Sequence, residues 1–382
     1  MSRRSRVRKK YKNRHSGTRR RRYYDYNLVF LTLFLVVLGL IMIFSATQGS
    51  GDFFEKQALF AVIGTVCMIG VSFIPYRIYK IFTMPLVILS ALMFLLIFTP
   101  LGHSSHGATR WINLGFTTLQ PAEIAKIAII FFVALVVSRV DQKRIRLWKS
   151  WALIFGVAFV FVCEIFFITD NLSSAIIVFG IAFVMFFVAN PDYKIFAALA
   201  GGGAALVTGL VLLIVNLSSG EGSFRFARIL AWLDPEQYMQ DGGYQLLNGL
   251  YAIGSGGLFG KGLGASAQKA ILPEVQNDMI FAIICEELGL FGAFVIILLF
   301  ILLLYRMVYI ARHAKDLFGS MLVIGVFAHI AIQVILNIAV VTNSIPNTGI
   351  SLPFISAGGT SLLLLMLEVG VVLNVSRSIE YE

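Results

Sequence analysis

Apolar runs of membrane-crossing length alternate with short polar breaks along almost the whole chain. Ten of them, at 28–47, 54–74, 78–98, 121–138, 151–168, 172–189, 195–215, 279–305, 317–341 and 355–376, reach the roughly 17–25 residues that a spanning helix needs. Only helices satisfy their own backbone inside lipid when the apolar signal is continuous rather than alternating. The pattern therefore predicts an all-α polytopic membrane protein of ten transmembrane helices, with a large external loop between the seventh and eighth. Three breaks are long: 99–120, 216–277 and 342–354. Loops of this length are usually functional or disordered. Break 216–277 holds Trp232, Tyr238, Tyr244, Tyr251 and Phe259, which argues against disorder, and its apolar part 244–258 is expected to dip into the membrane face or lie along it.

Composition agrees with the pattern. Of 382 residues, 58% are hydrophobic and 13% charged, against about 25% charged in soluble domains. The net charge of +11 is uneven: twelve of 31 Lys and Arg fall in residues 1–27. That arm reads as a basic cytoplasmic tail, without regular structure, that faces anionic lipids rather than nucleic acid. With the N-terminus inside, 24 cations sort to the cytoplasmic side and six to the outer side, which fits ten spans with both termini inside. Residues 28–378 then form one transmembrane domain. Cys67, Cys163 and Cys285 lie in apolar runs and suggest neither disulfides nor a metal cluster.

Carboxylates gather at the mouth of the eighth run: Asp278, Glu286 and Glu287. Acids near a bilayer core are costly, about 2.5–3.5 kcal/mol even on the lenient scale, and so are rarely incidental. Asp278 is expected to cap the helix and also to act chemically. Upstream, the glycine series around Gly260-Lys-Gly-Leu-Gly-Ala265 fails the P-loop test and follows no strand, so close backbone packing explains it. Lys261 and Lys269 beside it are candidate phosphate contacts. At the fourth run Glu123 and Lys126 share a helix face, either as a structural pair or as a surface for a charged head group. Arg110, next to Trp111, is a cation on the cation-poor side, suited to phosphate. The Pro- and Gly-rich stretch from Asn343 to Ser361, with Ser356, Gly358 and Gly359, is irregular backbone at membrane depth and is expected to line a cavity. Glu164 and Glu368 receive no role beyond packing or pairing.

Several blocks in order carry a resemblance: Ala108-Thr-Arg-Trp-Ile112, Gln120-Pro-Ala-Glu123 with Lys126, Ala252-Ile-Gly-Ser-Gly-Gly-Leu-Phe-Gly260, Leu272-Pro-Glu274, Asp278-Met-Ile-Phe281, Glu286-Glu-Leu-Gly289, and Pro346-Asn-Thr-Gly-Ile-Ser-Leu-Pro-Phe354 with Gly358-Gly359. Over about 28–378 the chain resembles the SEDS family of bacterial cell-wall proteins (shape, elongation, division and sporulation). The basic tail and Trp232-Leu-Asp-Pro235 are more similar to its division member, FtsW, than to RodA. Where the family usually has His-Thr-Asp-Phe this chain has Gln276-Asn277-Asp278-Met279. For Gln-Pro-Asp-Leu-Gly-Thr it has Thr169-Asp170-Asn171-Leu172-Ser173-Ser174, and Ala357 replaces a Tyr.

The resemblance implies a peptidoglycan glycosyltransferase of the bacterial cytoplasmic membrane, multi-pass, which polymerises lipid II into glycan strands at the outer face. It also implies a class B penicillin-binding transpeptidase and other division or elongation membrane proteins as partners. The loop aspartate matches Asp278. An inverting transfer needs one base and stabilisation of the departing pyrophosphate. Asp278 is the expected base. Arg110, Lys126, Lys261 and Lys269 are the expected pyrophosphate contacts, with Glu123 orienting Lys126 and Glu286 completing a polar pocket. A divalent cation, Mg or Mn, is left open. A lipid II flippase and a non-catalytic transpeptidase scaffold are the rival readings.

Overall fold

The computed structural model describes residues 21–22, 24–49, 51–105, 108–115, 117–140, 148–190, 194, 196, 201, 209, 224–241 and 243–381. Nine of the described helices are long and apolar enough to cross a membrane. In chain order the helices are α1 (Tyr26–Ala46), α2 (Gly51–Phe73), α3 (Tyr79–Leu95), α4 (Pro121–Arg139), α5 (Trp148–Cys163), α6 (Leu172–Ala189), α7 (Phe224–Leu233), α8 (Gly243–Ser255), α9 (Ile280–His313), α10 (Leu317–Val341) and α11 (Gly359–Arg377). The expected seventh span, 195–215, lies outside the described residues except for 196, 201 and 209, as does most of the basic tail. α5 ends in a π-helical turn, Glu164–Ile168.

The fold is not purely helical. Strands β1 (Arg21–Arg22) and β5 (Glu380–Tyr381) pair antiparallel. The break after α3 folds into an antiparallel sheet of β2 (Gly102–Ser105), β3 (Ala108–Asn113) and β4 (Thr118–Leu119). This sheet was not expected, because its strands are short and lack alternating apolar positions. It gives Arg110 a rigid platform.

α4 is the buried centre, with almost every residue from Pro121 to Val137 inside. It packs against α3, α6 and α10. α2, α3 and α5 instead turn large apolar side chains outward, among them Val66, Ile81, Phe82, Leu95 and Phe159, as lipid-facing helices do. Thr360 Oγ1 donates to the Thr118 carbonyl (3.0 Å), so α4 and α11 start on the same side. The helix ends opposite are locked by Asp25, which is fully buried and accepts from Arg306 Nη2 at 2.6 Å and from the Leu28 amide at 3.0 Å.

Residues 342–358 between α10 and α11 carry no helix or strand, yet Ile350 and Leu352–Ser356 are buried. This is the irregular stretch expected from the sequence. α1 presents Gly39 to it, where a Cβ would come within 2.6 Å of the Phe354 carbonyl oxygen. Only glycine permits that approach.

Candidate active site

Asp278 lies one residue before the cap of α9. The helix begins at Ile280, and its cap, Met279, makes no side-chain capping bond. The expected capping role of Asp278 is therefore not observed, and its carboxylate is left for other contacts. Three elements hold it. Gln245 of α8 donates to Oδ1 at 3.2 Å, and Gln245 Oε1 in turn accepts from Asn347 Nδ2 at 3.1 Å. Asn337 of α10 donates through one amide to both the Asp278 carbonyl (2.9 Å) and the Ile350 carbonyl (2.7 Å). The loop 342–358 is thereby tied to the acid from both sides.

The surroundings push the Asp278 carboxyl up to about 6. Burial is the main cause, and the Glu274 charge adds to it. Its own backbone amide, the Arg228 charge and the Gln245 hydrogen bond pull the other way. A base poised just below the working pH is deprotonated yet still accepts a proton readily.

Arg110, on β3, reaches across to the break between α5 and α6. Nε donates to the Thr169 carbonyl (3.1 Å) and Nη2 to the Asp170 carbonyl (2.8 Å). Burial lowers its affinity for a proton. The Arg228 charge lowers it further, and Asp170 opposes both. Arg228 of α7 is shifted down by burial and held up by Asp170 and Asp278. Two guanidiniums and two carboxylates, Arg110, Arg228, Asp170 and Asp278, therefore share one electrostatic neighbourhood. The break 169–174 belongs to it, and Ser173 Oγ also donates to the Thr348 carbonyl of the loop.

Glu123 and Lys126 form a 2.7 Å ion pair, with side chains 9% and 1% exposed. A pair this deep carries a large desolvation cost that only good geometry repays. Ser356 accepts from the Leu352 amide at 2.7 Å. The Gly358 amide donates to Gln57 of α2, and the Ala357 amide to the Gln276 carbonyl at 2.8 Å. A Cβ on Gly359 would strike the Phe60 ring. These three residues shape the loop that faces the segment before Asp278.

Glu286 and Glu287 form a second, separate centre. Glu286 is fully buried and accepts from Lys261 Nζ (2.6 Å), Ser266 Oγ, the Ala267 amide (3.2 Å) and the Gln268 amide (3.4 Å). Glu287 accepts from Ser45 Oγ of α1 and lies 3.7 Å from Lys269 Nζ. The backbones interlock as well: the Lys261 and Gly262 amides donate to the Glu286 and Glu287 carbonyls. α9 breaks at Gly289 (φ 71°), where a Cβ would lie 2.4 Å or so from the Gly260 nitrogen. The glycine series is thus a close-packing device, as the sequence suggested. Lys261 and Lys269 differ from expectation, since both ammoniums are engaged with carboxylates, and Glu286 anchors a loop rather than lining a pocket.

Gln245, Asn337, Asn347 and Arg228 were not singled out from the sequence, although Asn337 is one of few polar residues in a largely apolar run. Among the described residues no three His, Cys, Asp or Glu side chains gather into a group that would hold a metal ion.

Residues 26–381 match the family model described as "Cell cycle protein" (FtsW/RodA/SpoVE). The chain is 38% identical to stage V sporulation protein E of Bacillus subtilis, over 94% of this chain and 98% of that protein. It is 34% identical to a probable peptidoglycan glycosyltransferase FtsW of Trichlorobacter lovleyi, over 94% of each chain. In structure it is similar to a chain of a complex described under "Structural coordination of polymerization and crosslinking by a peptidoglycan synthase complex", with TM-score 0.79 and 26% identity over 93% of this chain and 98% of that one. It is also similar to the rod shape determining protein RodA of Thermus thermophilus, with TM-score 0.68 and 25% identity over 94% and 98%.

Proposed function

The chain belongs to the FtsW/RodA/SpoVE family of cell-cycle proteins, and we propose that it is the peptidoglycan glycosyltransferase of that family type, with Asp278 as its general base. It joins disaccharide units carried on a polyprenyl pyrophosphate, as in lipid II, into a glycan strand. The observation that carries this reading is a half-buried carboxylate with a raised proton affinity, fixed by α8, α10 and the loop 342–358 and faced by Arg228.

In the reaction an acceptor hydroxyl gives its proton to Asp278 as its oxygen attacks the sugar's anomeric carbon from the side opposite the pyrophosphate. The carbon–oxygen bond to the pyrophosphate breaks, and the leaving group keeps the electron pair. Its negative charge is met by Arg110 and Arg228, whose planar forks suit phosphate oxygens. The Lys126–Glu123 pair lies deeper on α4, its ammonium engaged by a carboxylate as those of Lys261 and Lys269 are. Charges preset in a water-poor site need no reorganisation when the transition state forms.

The pairing of β1 with β5 supports ten spans, because it holds both chain ends on one face and so requires an even number of crossings. With nine described, the expected span 195–215 would bring the number to ten. The charge asymmetry supports a cytoplasmic location for both ends and the outer face of the bacterial cytoplasmic membrane for Asp278. The likeness to a chain of a synthase complex that couples polymerization to crosslinking supports a class B penicillin-binding transpeptidase as partner.

The test is glycan synthesis from purified lipid II by Asp278→Asn protein that elutes normally on size exclusion. Loss of a placed base costs roughly 10²–10⁴-fold, so strands should be nearly absent on a gel. Activity within a few-fold of the unaltered protein would reject the base.

A further inference from the structure

α10 carries three polar side chains, His329, Gln333 and Asn337, at successive intervals of four inside an apolar helix. That spacing puts them on one face, about 6 Å apart along the axis. All three are buried. Each spends one end of its side chain on a partner. Asn337 bonds the Asp278 and Ile350 carbonyls. Gln333 Nε2 donates to the Ser351 carbonyl at 3.0 Å. His329 Nδ1 lies 2.8 Å from Glu368 of α11. Each leaves the other end, Asn337 Oδ1, Gln333 Oε1 and His329 Nε2, buried without a hydrogen-bonding partner among the described residues.

Three such atoms on one helix face do not fit a dry packing surface, where each would carry a desolvation penalty. A single water with hydrogen bonds of about 2.8 Å on either side spans roughly 5.6 Å, close to the spacing between successive members. The column is blind. Toward the cytoplasmic end the next buried residues on this face of α10 are Val326, Gly325 and Leu322, so it offers no polar route across the membrane. Its inner end is titratable and sits in the middle of both α10 and α11, where ionisable groups are rarely incidental.

We propose that this face of α10 is a hydrated proton path, which carries the acceptor's proton from Asp278 inward to the His329–Glu368 couple and stores it there while substrate covers the outer mouth. The proposal rests on Asp278 as the base. Facing a carboxylate, Nδ1 keeps its hydrogen, which makes Nε2 the proton-accepting atom. The hydroxyl proton passes to the Asp278 carboxylate, then through bridging waters to Nε2. The imidazolium so formed stands against the Glu368 carboxylate, and the couple goes from one negative charge to none. After product leaves, the proton returns outward by the same route.

Arg139 of α4, Arg306, Arg312 and His313 of α9 and Arg377 of α11 lie toward the inner ends of the helices packed against α10; nearer His329 the charged groups are few. α4 brings Lys126 and Glu123. A Cβ on Gly325 would meet Ile130 of α4, and α4 and α10 run antiparallel, so Lys126 and His329, one turn outward on each, lie at the same depth. α9 brings Glu286 and Glu287 in its outer half, both already bonded. α11 brings Glu368, and α6 and α8 bring no charged residue. Lys126, paired with Glu123, is thereby level with the store.

The experiment uses the full chain and lipid II, with rates measured against pH and in heavy water for Gln333→Leu, His329→Gln and Glu368→Gln. The expected result is a fall in kcat of about tenfold or more, no change in KM, and an altered solvent isotope effect. A kcat, pH profile and isotope effect all within about twofold of the unaltered protein would overturn the path. If Gln333→Leu does not fold, Gln333→Met takes its place. An independent readout is a high-resolution map of the unaltered protein. Ordered water bonded to Gln333 Oε1 is expected, and a dry apolar contact there would overturn the proposal. Asp278→Asn assayed alongside separates the two claims. If it is inactive while the α10 variants behave normally, only the path fails. If it is active, the base fails and the path falls with it.

Discussion

Two acidic centres flank the start of one helix, and they have opposite surroundings. Glu286, inside α9, accepts from an ammonium, a serine hydroxyl and two backbone amides. Asp278, just before α9, has one side-chain donor, a neutral amide. The first carboxylate has its lone pairs filled and is fixed as an anion that staples the loop 256–270 to the helix. The second is half-buried without that compensation, which is why its carboxyl rises to about 6. An acid that is over-supplied with donors holds structure; an acid that is under-supplied retains its basicity and can take a proton.

The largest effect expected from this contrast is on stability. Glu286→Ala leaves the Lys261 ammonium and the Ala267 and Gln268 amides without their acceptor. Breaking one side of a buried pair costs about 3–5 kcal/mol, so the purified protein should melt well below the unaltered chain in a fluorescence thermal ramp. An unchanged melting temperature would remove the staple. Gly289→Ala should act in the same direction by a smaller amount, of order 1–3 kcal/mol, because the residue sits at φ 71° against the Gly260 backbone; the same ramp reads it.

Asp278→Asn should move stability the other way. The unfolded chain ionises near 3.8 and the folded one near 6. The folded state therefore binds the extra proton in that window, and stability falls as pH rises through it. Asn cannot ionise, so the variant should melt at or above the unaltered protein at pH 7 and lose this advantage below about pH 4. A variant less stable at pH 7 would show that the carboxylate is well compensated after all. The smallest effect is expected at Gln245→Leu. Removing the amide that favours the anion raises the Asp278 proton affinity further. The rate of polymerisation, expected to rise with pH as Asp278 deprotonates, should then rise at a higher pH, while KM for lipid II changes little. A limb that moves toward lower pH would contradict the contact.

Much of the fold was legible because lipid imposes a simple code. Apolar runs of sufficient length gave nine helices whose limits lie within a few residues of expectation, except that α9 continues past the expected end at 305 to His313, and Gly-rich segments gave the interlocked backbones at α9. The sheet β2–β3–β4 was not legible, because its pairing has no alternating signature and depends on α3 and α4 bringing its ends together. In the site, Asp278 and Arg110 were visible as polar exceptions near membrane boundaries. Gln245 and Asn347 were not, since each is an ordinary loop or helix amide whose meaning comes only from contacts 33 and 102 residues apart in sequence. Asn337, Gln333 and His329 did leave a signal, a polar residue at every fourth position of an apolar run. Lys261 and Lys269 read as available cations because the sequence does not reveal that Glu286 and Glu287 face them.

The division of labour between the two acids is tested most directly by assaying Asp278→Asn and Glu286→Gln side by side, for glycan synthesis from lipid II and for melting temperature in the same preparation. The expected result is a crossed pattern. Asp278→Asn loses roughly 10²–10⁴-fold in rate with its melting temperature intact or raised. Glu286→Gln melts lower and, below its melting point, retains a rate far above that of Asp278→Asn. An active Asp278→Asn protein, or a Glu286→Gln protein that is fully stable but inactive, would contradict the assignment of Asp278 as the base.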